Sequence, residues 1–172
     1  MQPTVLRLCQ YPIMDITVYG KPSPQGSKKF MGTTKTGKGI LLENSPKLIP
    51  WRNAVAVAAG EELDRIGRPA PFSCALRAVM VFTFLRPKSV SRLKRPHVSV
   101  YPDLSKVIRA TEDALTDAGV WEDDALVVSL EARKVYANEH ILALDRSGCL
   151  LRIEPVVPLD LPPGRGYLEL EA

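Results

Sequence analysis

Apolar and polar residues alternate along several stretches of this 172-residue chain, as is typical of half-buried β-strands. Residues 13–19 alternate clearly and predict a first strand. Residues 74–85 are rich in β-branched and aromatic side chains, so we predict a central strand there. An apolar run at 125–136 predicts another strand, and residues 141–143 with 150–156 predict a closing hairpin.

Two segments carry helical signals. Residues 50–66 are rich in alanine and valine and are followed directly by glycine. Residues 104–118 form an amphipathic pattern, in which Asp103 or Ser105 can cap the start and Gly119 occupies the position after the end. The resulting order β, α, β, α, β, β implies an α/β fold of the α+β sandwich type, in which a mixed sheet packs against two main helices.

Length and the lack of linkers predict a single domain over residues 1–172. We expect its core at 14–136, two basic loops at 20–39 and 86–100, and an irregular tail at 157–172. No apolar run approaches the roughly 20 residues that span a bilayer, so no membrane partner is expected.

The cysteines and the first residues favour a cytoplasmic location. Residues 1–15 lack the basic and apolar regions of a secretory signal. Cys9, Cys74 and Cys149 are widely spaced and form no metal motif. We therefore expect three small, unpaired core residues in a reducing compartment.

Charge is divided unevenly along the chain. Residues 1–100 hold 16 Lys and Arg against 5 Asp and Glu, a net of +11, whereas residues 101–172 hold 7 against 14, a net of −7. A basic surface is compatible with a nucleic-acid partner. The motif from Gly32 to Gly39 nearly matches a phosphate-binding P-loop, but Gly39 stands where a hydroxyl should hold Mg²⁺, so no nucleotide cofactor is predicted.

The acidic part of the chain concentrates its carboxylates in one segment. Seven fall between Asp103 and Asp124, and a bound cation would relieve their repulsion. Mg²⁺, or alternatively Mn²⁺, suits such oxygen ligands. Plain alternatives stay open: Asp103 as an N-cap, Arg109 paired with Asp113 one helical turn on, and residues 122–124 as a solvated turn.

Residues 102–134 contain the string Pro-Asp-Leu-Ser-Lys, then Arg109, and then Asp-Ala-Leu-Thr-Asp-Ala-Gly-Val-Trp-Glu-Asp-Asp and a valine. This pattern resembles the RusA family of Holliday junction resolvases. The resemblance implies a small homodimeric fold, dependence on Mg²⁺, cleavage of four-way DNA junctions, and frequent occurrence in phages and prophages. The family's first metal-binding aspartate falls on Asp103. Its basic helix residue falls on Arg109, and its late catalytic aspartate falls on Asp124, with Asp123 alongside.

The family's second metal-binding aspartate falls on Ser105, which is a poor Mg²⁺ ligand. Three explanations are open. Ser105 binds through a water, another acid replaces the carboxylate, or the protein is a weak or inactive nuclease that still binds DNA. Glu112 lies about 10 Å along the helix from Ser105, so Asp123 or Asp113 is the favoured substitute.

We therefore predict a structure-selective endodeoxyribonuclease of recombination and repair that hydrolyses phosphodiester bonds. The predicted catalytic residues are Asp103, Asp124 and Arg109. The predicted metal ligands are Asp103, Asp124 and Asp123. Two symmetric cuts predict a two-fold homodimer. The rivals are a non-catalytic DNA-binding protein, a nuclease acting on flaps or forks, and a small-molecule phosphohydrolase. The predicted DNA-binding residues, all basic, are Lys28, Lys29, Arg92, Lys94, Arg95 and Lys106.

Overall fold

The computed structural model describes residues 12–26, 29–33, 39–42 and 46–156. Helices α1 and α2 cover Leu48–Arg65 and Leu104–Asp117. A short 3₁₀ helix covers Asp124–Leu126. The strands, in chain order, are β1 Met14–Tyr19, β2 Lys29–Thr33, β3 Gly39–Leu42, β4 Leu76–Phe84, β5 Val127–Tyr136 and β6 Gly148–Pro155.

Four strands form a mixed sheet in the order β1-β6-β4-β5. β6 is antiparallel to both β1 and β4, whereas β4 and β5 are parallel and are connected through α2. The predicted mixed sheet with two helices in a single α+β domain is confirmed, and β4 is central as expected. Among the described residues, no helix is long and apolar enough to cross a membrane.

The segment after β5 differs from the prediction. Residues 141–143 form a turn, and β6 inserts between β1 and β4 instead of closing a local hairpin. Gly148 makes this insertion possible, because a Cβ atom there would lie 2.2 Å from the Val18 carbonyl oxygen of β1. The core therefore extends beyond residue 136, since Leu151 and Ile153 of β6 are buried in it.

The first basic loop also differs from the prediction, because β2 and β3 pair as a separate antiparallel hairpin. The central residues 34–38 of the P-loop-like motif lie outside the described residues, as does the tail at 157–172. Cys149 is free and buried as predicted, and burial raises the pKa of its thiol. Cys74 is disulfide-bonded, so the expectation of unpaired cysteines is wrong for Cys74, and Cys9 lies outside the described residues.

A buried hydrogen-bond chain fixes α2 against α1. The Trp51 indole Nε1 donates to Thr111 Oγ1 at 3.1 Å, and the Thr111 hydroxyl donates to the Val107 carbonyl at 2.9 Å. Trp51 is 1% exposed and Thr111 is fully buried, so each polar group has a partner where water cannot supply one. This contact sets the rotation of α2 and thus the direction in which its polar face points.

Candidate active site

The start of α2 presents an aspartate that does not cap the helix. Asp103 occupies the N-cap position with extended backbone angles, φ −64° and ψ 131°, but its side chain accepts no capping hydrogen bond. The carboxylate is 64% exposed, and its ion pair with Lys106 Nζ is long, at 3.6 Å. The simple interpretation of Asp103 as an N-cap therefore fails, and the carboxylate remains available at a helix end whose dipole favours an anion.

Lys134 of β5 fixes the segment that leads into Asp103. Its ammonium donates to the carbonyl oxygens of Val100 and Pro102, each at 2.8 Å. Burial lowers the pKa of Lys134, and the nearby Asp103 carboxylate opposes that shift. A partly buried cation on the sheet thus holds both the backbone and the charge at the entrance to α2.

A tight corner after α2 positions the second group of acids. Gly119 adopts φ +74°, a left-handed conformation that favours glycine after a helix end. Phe72 then pairs with the returning chain, because its N–H donates to the Val120 carbonyl and its carbonyl accepts from the Glu122 N–H, both at 3.0 Å. Both ends of this corner are thereby fixed to the chain just before β4.

Trp121 closes the same corner from inside. Its side chain is 1% exposed, and its indole Nε1 donates to Thr116 Oγ1 at 2.7 Å, while the Thr116 hydroxyl donates to the Glu112 carbonyl at 3.1 Å. Trp121 is thus a core aromatic at the helix–strand corner. The corner is therefore rigid where it delivers residues 122–124.

The two neighbouring aspartates at this corner differ in role. Asp123 accepts a hydrogen bond from the Ala125 N–H at 2.8 Å and caps the 3₁₀ helix. Asp124 is exposed and interacts electrostatically with Glu112 on α2. Burial raises the pKa of the half-buried Glu112 carboxyl, and the negative charges of Asp124 and Asp113 raise it further.

The other charged side chains of α2 separate into paired and unpaired groups. Asp113 and Asp117 both contact Arg52 of α1, at 3.5 and 2.5 Å. The predicted pairing of Arg109 with Asp113 is not observed: Arg109 is exposed and, within the described residues, has no ion-pair partner. Asp113 is therefore held in an ion pair between the two helices, whereas Arg109 is available to an anionic ligand.

The predicted site residues fall at two places along α2. Asp103 lies at its start with the exposed Ser105, and Asp124 lies beside Glu112, nine residues further, which is about 13 Å along a helix axis. The described residues contain no group of three His, Cys, Asp or Glu arranged to hold a metal ion. The joint metal site of Asp103, Asp123 and Asp124 therefore stays a prediction.

The second basic loop is anchored at its base. Arg86 forms a bidentate ion pair with Glu139, with hydrogen bonds of 2.6 and 2.8 Å. Its guanidinium carbon also lies 3.7 Å from the centre of the Tyr136 ring. Arg92 adds a second contact to Glu139 at 3.1 Å, and these two arginines lower the pKa of Glu139 to about 2. Lys94 and Arg95 remain exposed, as a DNA-contacting loop requires.

The other predicted DNA-binding residues are less informative. Lys28 lies outside the described residues, and Lys29 begins β2 with only its backbone described. Lys106 is exposed on the first turn of α2 and faces Asp103. The loop at 86–100 is therefore the part of the predicted DNA-binding surface that the structure describes in full.

Exposed carboxylates beside a basic loop, on an α+β fold with a mixed sheet, are typical of enzymes that act on nucleic acid. A family model agrees with this class: the model for endodeoxyribonuclease RusA matches residues 20–143, which include α2, its corner and the second basic loop. The chain belongs to the RusA family of endodeoxyribonucleases. No individual curated protein gives a significant match.

Sequence reasoning missed three of the interactions that define this region. It ranked Glu112 below Asp113 and Asp123 on its distance from Ser105, although Glu112 faces Asp124. It also gave no role to Lys134 or Glu139. A lysine in a half-buried strand is an available signal, because a buried ammonium needs partners. The pairing of Glu139 with the loop had no local signal.

Proposed function

We propose that this protein is a Mg²⁺-dependent endodeoxyribonuclease that resolves four-way DNA junctions as a homodimer. The match of the RusA family model over residues 20–143 is the observation that carries the proposal. Charge supports it, because residues 1–100 carry a net of +11 beside an acidic segment. Such a surface attracts the phosphate backbone without reading its sequence.

The donor set at the corner fits a hard divalent cation. Asp124 is exposed, and the pKa of its neighbour Glu112 is raised by burial and then by the negative charges of Asp124 and Asp113, so a cation would stabilise both carboxylates in their ionised form. A bound Mg²⁺ supplies Lewis acidity toward a phosphate oxygen and makes a water more acidic. Asp103 and Asp123 remain proposed ligands, and Glu112 is our candidate for a further carboxylate ligand beside Asp124 at the corner.

The remaining residues of the site have simpler tasks. Arg109, exposed and unpaired within the described part of the chain, can neutralise a non-bridging phosphate oxygen through its planar guanidinium. Lys106 and the loop cations Arg92, Lys94 and Arg95 hold neighbouring phosphates. A two-fold dimer places one such site on each of two opposed strands, which is what paired cuts in a junction need.

The decisive test is cleavage of a synthetic four-way junction with and without Mg²⁺. We expect paired, Mg²⁺-dependent nicks by the wild type and a loss of at least about 100-fold in Asp124→Asn, because a carboxylate ligand is removed. Asp117→Asn is the matched control, since Asp117 lies on the same helix but pairs with Arg52. Full activity of Asp124→Asn would contradict the proposed site.

The same assay separates the rivals. Junction binding without cleavage at any metal concentration indicates a non-catalytic or weakly active DNA-binding protein, the alternative that the serine at position 105 favours. Faster cleavage of flaps or forks than of junctions indicates a different substrate shape. A flat salt dependence of DNA binding argues against nucleic acid altogether, because phosphate contacts produce a steep slope.

A further inference from the structure

A cavity of about 490 Å³ lies beneath the second basic loop. We call it the loop cavity. Its size falls within the range of small-molecule sites and exceeds what a phosphate group alone would fill. It is bounded on one side by the loop, with Arg92, Pro96 and His97, and on the other by the end of β5 and the turn that follows, with Lys134, Glu139 and His140.

The charge around the loop cavity favours an anion. Its wall carries two cations, Arg92 and Lys134, and one carboxylate, Glu139. That carboxylate is already neutralised, because it contacts both Arg86 and Arg92. Arg86, Arg92 and Glu139 together therefore have a net positive charge, and Lys134 adds to it. A phosphate would be attracted without displacing an ion pair.

Both histidines of the chain line this one cavity. His140 Nδ1 accepts a hydrogen bond from the Leu142 N–H at 3.0 Å, so the neutral ring carries its proton on Nε2 and can donate from there. His97 is exposed on the loop and offers a flat ring. Tyr136 forms buried floor instead, because it is 3% exposed and Arg86 covers its ring.

The loop cavity combines polar groups with an apolar wall. Val98 is 5% exposed and belongs to the hydrophobic core, and Pro96 lies close by on the same wall. Ligand sites generally combine such an apolar surface with a few converging donors. The combination suits a ligand with a flat, weakly polar ring and an anionic group.

The position of the cavity connects it to the proposed active site. It lies at the carboxyl ends of the parallel strands β4 and β5, the edge at which open sheets with helical crossovers bind ligands. Lys134 belongs to its wall and also donates to the Pro102 carbonyl, one residue before Asp103. One side chain therefore belongs both to the wall of the cavity and to the segment that leads into Asp103.

We propose that the loop cavity binds one nucleotide of a DNA strand whose base has left the duplex stack. The phosphate lies toward Arg92 and the His140 Nε2 donor, and the base lies against Pro96 and the His97 ring. The proposal rests on the proposed function for the identity of the polymer. It adds a subsite that takes a whole nucleotide, beyond the backbone contacts of the basic loops.

The two histidines provide a direct test, because no other histidine in the sequence can confuse the signal. Imidazole resonances of the wild-type protein are followed by NMR during titration, without metal, with thymidine 5′-monophosphate, thymidine or inorganic phosphate. We expect both histidines to shift saturably with the nucleotide at about millimolar concentrations and less with either fragment. No shift with the nucleotide, or an equal response to phosphate alone, would overturn the proposal.

Variants sharpen the same measurement. His140→Ala should weaken nucleotide binding about tenfold, the effect of one hydrogen bond to a charged group, with the His97 resonance as the remaining reporter. Lys88→Ala is the matched control, because Lys88 is an exposed cation of the same loop that does not line the cavity. Its binding should stay within about twofold of wild type, since an exposed charge is screened. Equal weakening in both variants would show only the general charge of the loop.

Failure of this proposal is distinguishable from failure of the proposed function. Junction cleavage by the wild type together with silent histidine resonances rejects the cavity and leaves the nuclease intact. Histidine shifts in a protein that cuts no junction reject the nuclease and keep a nucleotide site.

Discussion

Two glutamates of this protein lie in opposite electrostatic environments. Glu139 contacts two arginines at the base of the second basic loop, and they lower the pKa of its carboxyl to about 2. Glu112 is half-buried on α2 beside Asp124 and Asp113, and its pKa is raised. The first acid is satisfied by its own chain. The second is subject to burial and to two carboxylates, all of which raise its pKa, and the chain keeps it there against that repulsion.

The difference indicates where to look for function. A carboxylate that is already paired, such as Glu139, is explained by the structure that it stabilises. A carboxylate held beside other carboxylates is not explained by stability, because burial and like charge both disfavour its ionised form. The comparison therefore supports the corner of Glu112 and Asp124 as the place where an external cation acts.

The largest expected effect that tests this contrast is that of Glu112→Gln. We expect the Mg²⁺ concentration needed for junction cleavage to rise by about tenfold or more, because one proposed ligand loses its charge. The measurement is a Mg²⁺ titration of the cleavage rate, with Asp117→Asn as control. An unchanged Mg²⁺ requirement would mean that Glu112 holds no ion.

Replacing the paired glutamate, Glu139, should affect how often the loop at 86–100 opens. Glu139→Gln leaves Arg86 and Arg92 without their carboxylate, so the loop at 86–100 should open more often. We expect trypsin to cut at Arg92 or Lys94 several-fold faster than in the wild type. Glu61→Gln, at an exposed glutamate of α1, serves as control. Equal cutting rates in the two variants would show that the ion pairs do not hold the loop.

The two pKa shifts predict opposite responses of stability to pH. Glu139 has a lowered pKa, so its contribution is present above its ordinary value of 4.5 and is lost as the pH falls toward about 2. Glu112 has a raised pKa, so its contribution is present below 4.5 and is lost as the pH rises through the raised value.

Thermal unfolding without Mg²⁺ measures this difference. Glu112→Gln should match the wild type near about pH 4 and unfold at a higher temperature near about pH 8, where the wild-type carboxylate is ionised. Added Mg²⁺ should reduce that advantage by stabilising the wild type alone. A difference between the two proteins that does not change with pH would contradict the raised pKa.

The smallest expected effect is that of Ser105→Asp. If Glu112 already supplies a further carboxylate ligand at the corner, an aspartate at the exposed position 105 should change the junction cleavage rate by less than about threefold. Ser105→Ala, measured in parallel, controls for the loss of the hydroxyl. A large gain in Ser105→Asp alone would show instead that the native site lacks a ligand at the start of α2.

Much of the fold was predictable because its signals are local. The strand at β1, the helix α2 and the glycine that ends it follow from alternation, amphipathic spacing and a C′ glycine. The position of β6 was not predictable from such signals. Its pairing with β1 joins residues more than 120 apart in sequence, Ile153 with Met14 among them, and its apolar pattern is equally compatible with a local hairpin.

The candidate site divides in the same way. The family resemblance of residues 102–134 assigned roles to Asp103, Arg109 and Asp124, and the family match over residues 20–143 includes that segment; the roles themselves stay predictions. The neighbours of these residues came only from packing. Arg52 of α1 occupies Asp113, and Lys134 of β5 holds the backbone before Asp103. Arg52 belongs to another helix, and Lys134 lies 31 residues after Asp103, on the strand that follows the corner.

The family, the amphipathic helix and the identity of the acids follow from the amino-acid sequence, because they depend on residue types at fixed spacing. Which acids are neutralised depends on tertiary packing. Asp113 and Glu139 are paired with arginines, whereas Glu112 faces Asp124. The physical reason is that the pKa of a carboxyl depends on burial and on charges within a few ångströms, and distant parts of the chain supply most of them.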